Sequence, residues 1–221
     1  KSFEQGEWWV VDADELVRKS REAQLAVIVD PNNPTGGPVV KANRDLVELL
    51  TENVRGYVVF DEAYYEFAGY TVVPYIADYP NIIVVRSLSK AFCLAGFRLG
   101  YVVARKALID KISAVHTPFD IPTPSLAAGI AALENVEYMK KVVAKVVELR
   151  EKLYQSLRDL GLRVYKSYAN FLVVRDSRPL DMVFAKHDIY IKRVGKDMYR
   201  ITVPPNEDLY NKIVEILGEA L

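Results

Sequence analysis

Short polar clusters interrupt the apolar runs of this chain, and each carries side chains able to do chemistry. Asn32-Asn33-Pro34-Thr35-Gly36 offers amide groups in a tight turn, and Asp61-Glu62-Ala63-Tyr64 sets a carboxylate near a phenol. Ser87-Leu88-Ser89-Lys90 places two hydroxyls beside a primary amine, with Arg98 eight residues beyond the lysine; Arg200 stands in a later apolar stretch. A lysine amine can condense with an aldehyde or carry a proton. Hydroxyls with a permanent cation suit a phosphate, and an arginine fork grips planar anions in two places. Singly, each cluster has a plainer reading: Asp61 as a helix cap or ion-pair partner, the serines as caps, Lys90 and Arg200 as surface residues. Ser87-x-x-Lys90 also fits a serine–lysine acyl-transfer motif, but the Ser-Asp-Asn and Lys-Thr-Gly elements that accompany it are not in the sequence.

The elements that must position these groups alternate. Asp12 and Asp14 are placed to cap a helix running to about Gln24. The apolar run from Leu25 to Asp30 reads as a strand buried on both faces. Residues 31–38 hold three prolines, two glycines and two asparagines, which is dense turn chemistry. A helix over Asn43 to Glu52 follows, then strands over Tyr57–Phe60, Asn81–Val85 and Leu99–Ala104. Strands alternating with helices imply a mostly parallel sheet sandwiched by helices, an α/β fold with ligands held beyond the carboxyl ends of the strands. After the proline-rich stretch 116–125, a helical region from Leu126 to Leu160 breaks near Asn135 and closes at Gly161. Strand, strand, helix, strand, strand and helix follow, at Leu162–Tyr165, Asn170–Val174, Leu180–His187, Tyr190–Arg193, Tyr199–Val203 and Asp208–Leu221. That pattern implies a smaller α+β unit over 136–221 behind a larger unit over 1–135.

Composition narrows the function. Lys+Arg and Asp+Glu are 29 each, so 29 − 29 leaves no net charge and no general field for nucleic acid or an anionic membrane. Apolar stretches such as 126–133 fall far short of the roughly 18 residues that a membrane span needs. The single cysteine, Cys93, excludes an internal disulfide and a cysteine-based zinc site, and fits a reducing, cytoplasmic setting.

Together and in this order, the clusters resemble the fold-type I, pyridoxal-phosphate-dependent aminotransferases, most of all their histidinol-phosphate branch. The resemblance is carried by DPNNPTGG (30–37), FDEAYYEFAG (60–69), RSLSKAFCLAGFRLGY (86–101), ANFLVVR (169–175) and YRITV (199–203). It implies that the cofactor is pyridoxal 5'-phosphate and that Lys90 forms a Schiff base with it. By the same resemblance Asp61 partners the protonated pyridine nitrogen, and Tyr64 and Asn33 hydrogen-bond the phenolic oxygen. Ser87, Ser89 and Arg98 are then the phosphate contacts. Arg200 matches the arginine that grips a substrate carboxylate, Arg193 one that recognises a substrate phosphate, and Asn170 an orienting amide. The implied reaction moves an amino group from a small-molecule amino donor, in histidine biosynthesis L-histidinol phosphate, to a 2-oxo acid, in a homodimer. A broad aromatic or acidic amino-acid aminotransferase, or a threonine-phosphate decarboxylase, would use the same cofactor residues.

The chain departs from the family at Val203-Pro204-Pro205 and in the short loop 194–199. It opens at Lys1 without an initiator Met, and the resemblance begins inside the family's large domain, so the expected large domain is incomplete. A truncated product or a shortened, inactive homologue fits that departure.

Overall fold

The computed structural model describes residues 2–117 and 119–220. Lys1, Pro118 of the proline-rich stretch and Leu221, where the sequence reading ends its last helix, lie outside the described residues. A hairpin, β1 (Ser2–Gln5) and β2 (Trp8–Val11), opens the chain, followed by α1 (Ala13–Ser20), β3 (Leu25–Val29), α2 (Arg44–Asn53) and β4 (Tyr57–Asp61). Next come the single-turn α3 (Tyr65–Ala68), β5 (Ile82–Ser87), β6 (Gly100–Ala104), α4 (Lys106–Ala114), α5 (Thr123–Glu134) and α6 (Val136–Asp159). The rest is β7 (Arg163–Tyr165), β8 (Phe171–Arg175), α7 (Leu180–Ala185), β9 (Lys192–Gly195), β10 (Met198–Thr202) and α8 (Glu207–Ala220).

Local chemistry sets the boundaries. Asp12 starts α1 by accepting the Glu15 N–H at 2.9 Å, and Asn43 starts α2 by accepting the Leu46 N–H at 2.9 Å. The first helix stops at Ser20 rather than Gln24, because the Ser20 hydroxyl folds back onto the Val17 carbonyl at 2.7 Å and a turn follows. Asn135 separates α5 from α6, and its side-chain amide donates to the Ala131 carbonyl at 2.7 Å. Gly161, at φ +80°, ends α6 in a left-handed turn, with the Gly161 N–H on Arg158 and the Leu162 N–H on Leu157.

The first sheet has the order β3-β4-β5-β6. The first three strands run parallel and β6 returns antiparallel to β5, since the connection between them holds only a short 3-10 turn instead of a crossover helix. Ile28, Val58, Phe60, Ile82 and Val84 line one face and pack on Val17 of α1 and Val47 and Leu50 of α2. The other face of β3 is open: Leu25 and Val27 are 54 % and 58 % exposed, so the expectation of a strand buried on both faces fails there. The two helices beside β3 cover the Ala26–Ile28 side, and strand alternation turns Leu25 and Val27 the opposite way. The second sheet, β7-β8-β10-β9, is wholly antiparallel and buries Val164, Leu172, Val174, Tyr199 and Ile201 against α6, α7 and α8. A third cluster lies between the two sheets: Tyr64, Phe67 and Ala91 meet Met139, Ala169 and Phe171.

The hairpin packs against the second sheet. Trp8 stacks on Tyr168 with centroids 4.8 Å apart, Trp9 meets Tyr165 edge-on at 5.6 Å, and the Lys166 N–H donates to the Glu7 carbonyl at 2.7 Å. Ion pairs also cross here, from Arg163 and Arg175 to Glu4 and from Arg158 and Lys166 to Glu7. Exposed pairs contribute about 0–1 kcal/mol each, so the aromatic contacts do most of the holding. Among the described residues no helix is long and apolar enough to cross a membrane.

Two expected outcomes follow from packing. Gly36 sits at φ +72°, and a Cβ there would lie 2.2 Å from Ser167 Oγ, whereas one on Gly96 would meet nothing within 4 Å. Gly36→Ala should cost roughly 1–3 kcal/mol in denaturant unfolding and Gly96→Ala within about 0.5 kcal/mol. Glu66 on α3 has both carboxylate oxygens buried, and burial pushes its carboxyl up to about 7 from 4.5, against the pull of its own backbone N–H and of Arg86. The folded state therefore holds the extra proton. The stability this confers is complete below the unfolded value of 4.5 and is lost as pH rises through about 7. Thermal melts across that window should show the decline in the native protein and a flatter profile in Glu66→Gln.

Candidate active site

The turn after β3 is locked by a buried carboxylate. Asp30 Oδ1 accepts the Val39 N–H at 3.0 Å and the Tyr70 hydroxyl at 2.7 Å, while Oδ2 accepts the N–H groups of Val40 and Lys41 at 2.9 and 2.7 Å. Burial, reinforced by Asp30, raises the Tyr70 phenol far above its ordinary range, so it stays a donor. Within the turn the Gly36 N–H bonds to the Asn32 carbonyl at 2.7 Å and the Thr35 hydroxyl to Asn32 Oδ1 at 2.9 Å. The Tyr168 N–H reaches the Gly36 carbonyl at 2.8 Å, fastening the turn to the loop before β8. Sequence reading missed Asp30; its signal was a carboxylate at a strand end directly before a proline-rich turn.

Asn33 projects from this turn and is shared. Its Oδ1 accepts Arg200 Nη1 at 2.9 Å, and its Nδ2 lies 3.4 Å from the Tyr64 hydroxyl. Arg200 comes from β10, with its guanidinium 5.0 Å from the Phe171 ring centroid, and Tyr64 meets the same ring edge-on at 5.5 Å. Arg200 Nε is buried with no partner. A buried guanidinium N–H left unpaired is costly, which makes this arginine receptive to an incoming anion. Burial raises the Tyr64 phenol, with Arg200 opposing and Asp61 reinforcing, so the hydroxyl is a proton donor at neutral pH. Asp61 ends β4, and its Oδ1 accepts the Ala63 N–H at 3.0 Å.

The third strand end supplies the amine. Ser87 closes β5 and its Oγ accepts the Ser89 N–H at 3.1 Å. Lys90 follows in the turn, exposed, with Nζ 5.8 Å from the Tyr64 ring centroid. No helix starts at these residues, so the capping alternative for the serines falls. The Leu88 N–H donates to the Leu99 carbonyl at 3.0 Å, one step beyond the Ser87–Gly100 pair. Arg98 adopts φ +56°, a left-handed backbone that costs about 1 kcal/mol for a non-glycine residue, and Nη1 donates to the Ala95 carbonyl at 3.0 Å.

The structure thus brings Asn33, Tyr64, Arg200 and Lys90 to one place, with Asp61 close enough to influence Tyr64. Asn170 immediately precedes Phe171, and its carbonyl accepts the Val203 N–H at 2.9 Å. Arg193 is held elsewhere: Nη2 donates to the Tyr199 hydroxyl at 2.8 Å and reaches Asp181 at 3.4 Å. It pairs with Tyr199, whose ring lies in the second core, whereas the next residue, Arg200, turns to the opposite face.

Residues 3–217 match the family model described as aminotransferase class I and II. The chain is 42 % identical over 219 residues to a histidinol-phosphate aminotransferase of Sulfurisphaera tokodaii, covering 99 % of this chain and 61 % of that protein. The crystal structure of the histidinol-phosphate aminotransferase from Clostridium acetobutylicum superposes with a TM-score of 0.86 at 25 % identity, covering 99 % of this chain and 70 % of that one. The enzyme of the same name from Sinorhizobium meliloti, in complex with pyridoxal-5'-phosphate, gives 0.81 at 27 % identity, covering 98 % and 61 %. This chain spans about three-fifths of the length of the curated relatives it matches, 61 % of one and 64 % of another. Because the family match runs from β1 into α8 and takes in every strand end that builds the site, the chain belongs to the class I and II aminotransferases.

Proposed function

We propose that this chain carries the cofactor- and substrate-holding residues of a pyridoxal-5'-phosphate-dependent aminotransferase, with L-histidinol phosphate as amino donor and 2-oxoglutarate as acceptor. The observation that carries this reading is the convergence of an amine, a phenol, an amide and a half-paired guanidinium at Lys90, Tyr64, Asn33 and Arg200. The substrate assignment leans on the histidinol-phosphate aminotransferase at 42 % identity. A homodimer and a cytoplasmic location belong to the same proposal.

The donor set fits the cofactor. An aldehyde needs an amine, a pyridinium a carboxylate, a phenolate hydrogen-bond donors, and a phosphate hydroxyls with a cation; these are Lys90, Asp61, Tyr64 with Asn33, and Ser87 with Ser89 and Arg98. When bound, pyridoxal phosphate supplies an electron-withdrawing ring that takes up the electron pair left when a substrate Cα–H bond breaks. Lys90 Nζ would be the nucleophile that holds the aldehyde and, as a free amine, the base that carries the substrate α-proton. Asp61 would hold the pyridinium by a charge-assisted hydrogen bond. The Tyr64 hydroxyl, kept protonated by burial, donates to the neighbouring oxygen. Arg98 with the two serines anchors the phosphate.

Arg200 binds the anionic end of each substrate in turn. L-histidinol phosphate carries a phosphate and 2-oxoglutarate a carboxylate, and a guanidinium fork suits both. Arg193, engaged by Tyr199 and Asp181, has the least geometric support as a second phosphate contact.

The protein mixed with pyridoxal phosphate should gain visible absorbance, and Lys90→Ala should not; persistence of the band in that variant would refute the lysine assignment. Arg200→Ala should raise KM for 2-oxoglutarate by about 10²-fold, the scale of losing a buried charge partner, while cofactor affinity stays within about threefold. Equal losses of both would remove Arg200 from the substrate site.

A further inference from the structure

One buried ion pair lies directly behind the site and the proposed reaction does not use it. Glu62 and Arg86 have side chains 4 % and 11 % exposed, with Arg86 Nη2 and Nε on Glu62 Oε2 at 2.9 and 3.1 Å. Every charged atom is satisfied. The Val72 N–H donates to Glu62 Oε1 at 2.7 Å and the Thr71 hydroxyl to Oε2 at 2.8 Å, while Arg86 Nη2 also donates to Thr71 at 2.7 Å. Arg86 stacks 3.5 Å from the Tyr65 ring centroid and touches the Tyr101 hydroxyl of β6 at 3.5 Å.

Sequence position gives this pair its meaning. Glu62 follows Asp61 at the end of β4, and Arg86 precedes Ser87 at the end of β5. The parallel register sets Asp61 beside Val85, and alternation puts Asp61, Val85 and Ser87 on one face and Arg86 on the other. Each strand end thus turns one residue to the site and its neighbour to the ion pair. We propose that Glu62 and Arg86 are positioning residues that fix the offset between the two strand ends, so that Asp61 and the Ser87–Lys90 turn meet the same bound molecule. This inference rests on the aminotransferase reading above. Through Tyr101 the clamp also reaches β6, whose approach carries Arg98.

The test reads the strand ends directly, in the full protein that carries this chain. The Ala63 N–H is bonded to Asp61 and the Ser89 N–H to Ser87, so amide hydrogen exchange at these positions in the cofactor-free protein reports the two ends. Glu62→Met with Arg86→Met replaces the pair by apolar side chains, a swap that buried pairs commonly tolerate in stability. The expected result is exchange at least about tenfold faster at Ala63 and Ser89, unchanged exchange at Val58 and Val84, and pyridoxal phosphate affinity weakened about tenfold or more. If the double variant does not fold, Arg86→Lys, which keeps the charge and loses the fork, should show the same pattern at about threefold amplitude. Unchanged strand-end exchange with unchanged affinity overturns the proposal, and so does faster exchange at all four amides, which marks general destabilisation. If the strand ends respond as expected but the unaltered protein captures no cofactor through Lys90, the aminotransferase reading fails and the mechanical role of the pair stands.

Discussion

One guanidinium bridges the two sheets at the candidate site. Arg200 leaves β10, lies over Phe171 and donates to Asn33 in the turn after β3. That contact has meaning only because Asp30 holds the turn with four hydrogen bonds and the Gly36 carbonyl receives the Tyr168 N–H. A hydrogen bond to a charged group contributes about 1.5–3 kcal/mol, comparable to burying one large apolar side chain. The joining cluster of Tyr64, Phe67, Ala91, Met139, Ala169 and Phe171 therefore outweighs it. Packing brings the two sheets together, and the Arg200–Asn33 and Tyr168–Gly36 bonds tie the turn after β3 to the second sheet's side.

Strand direction explains why residues so far apart in sequence share one edge. The parallel strands β3, β4 and β5 end together, delivering the Asn33 turn, Asp61 and the Ser87–Lys90 turn to one rim. Because β6 runs the other way, it is the segment before this strand that meets the same rim, and Arg98 is found there. Its left-handed backbone is held by the Leu88–Leu99 bond on one side and its own guanidinium on the Ala95 carbonyl on the other. Behind the rim, Glu62 and Arg86 occupy the alternate face of the same strand ends.

Much of this was legible because each signal was local. Apolar runs with polar ends marked β4 and β5, Asn135 marked the break between α5 and α6, and Gly161 marked the end of α6. Other features were set by groups distant in sequence. The exposure of Leu25 and Val27 depends on which face α1 and α2 cover, and a run of apolar residues carries no such information. The β1–β2 hairpin gave little signal because its partners, Tyr165 and Tyr168, lie far along the chain. Arg193 and Arg200 looked alike as strand arginines, and the bulge between Met198 and Tyr199 pairs Arg193 with Tyr199 rather than with Arg200. Glu62 and Arg86 were hidden beside the more conspicuous Asp61 and Ser87.

The central claim is that Lys90 is the residue that captures the cofactor, and borohydride reduction followed by peptide mass mapping addresses it most directly. The reduced pyridoxal phosphate mass should appear once, on the peptide that contains Lys90. An adduct on a different lysine, or none in the complete protein at saturating cofactor, would contradict the account.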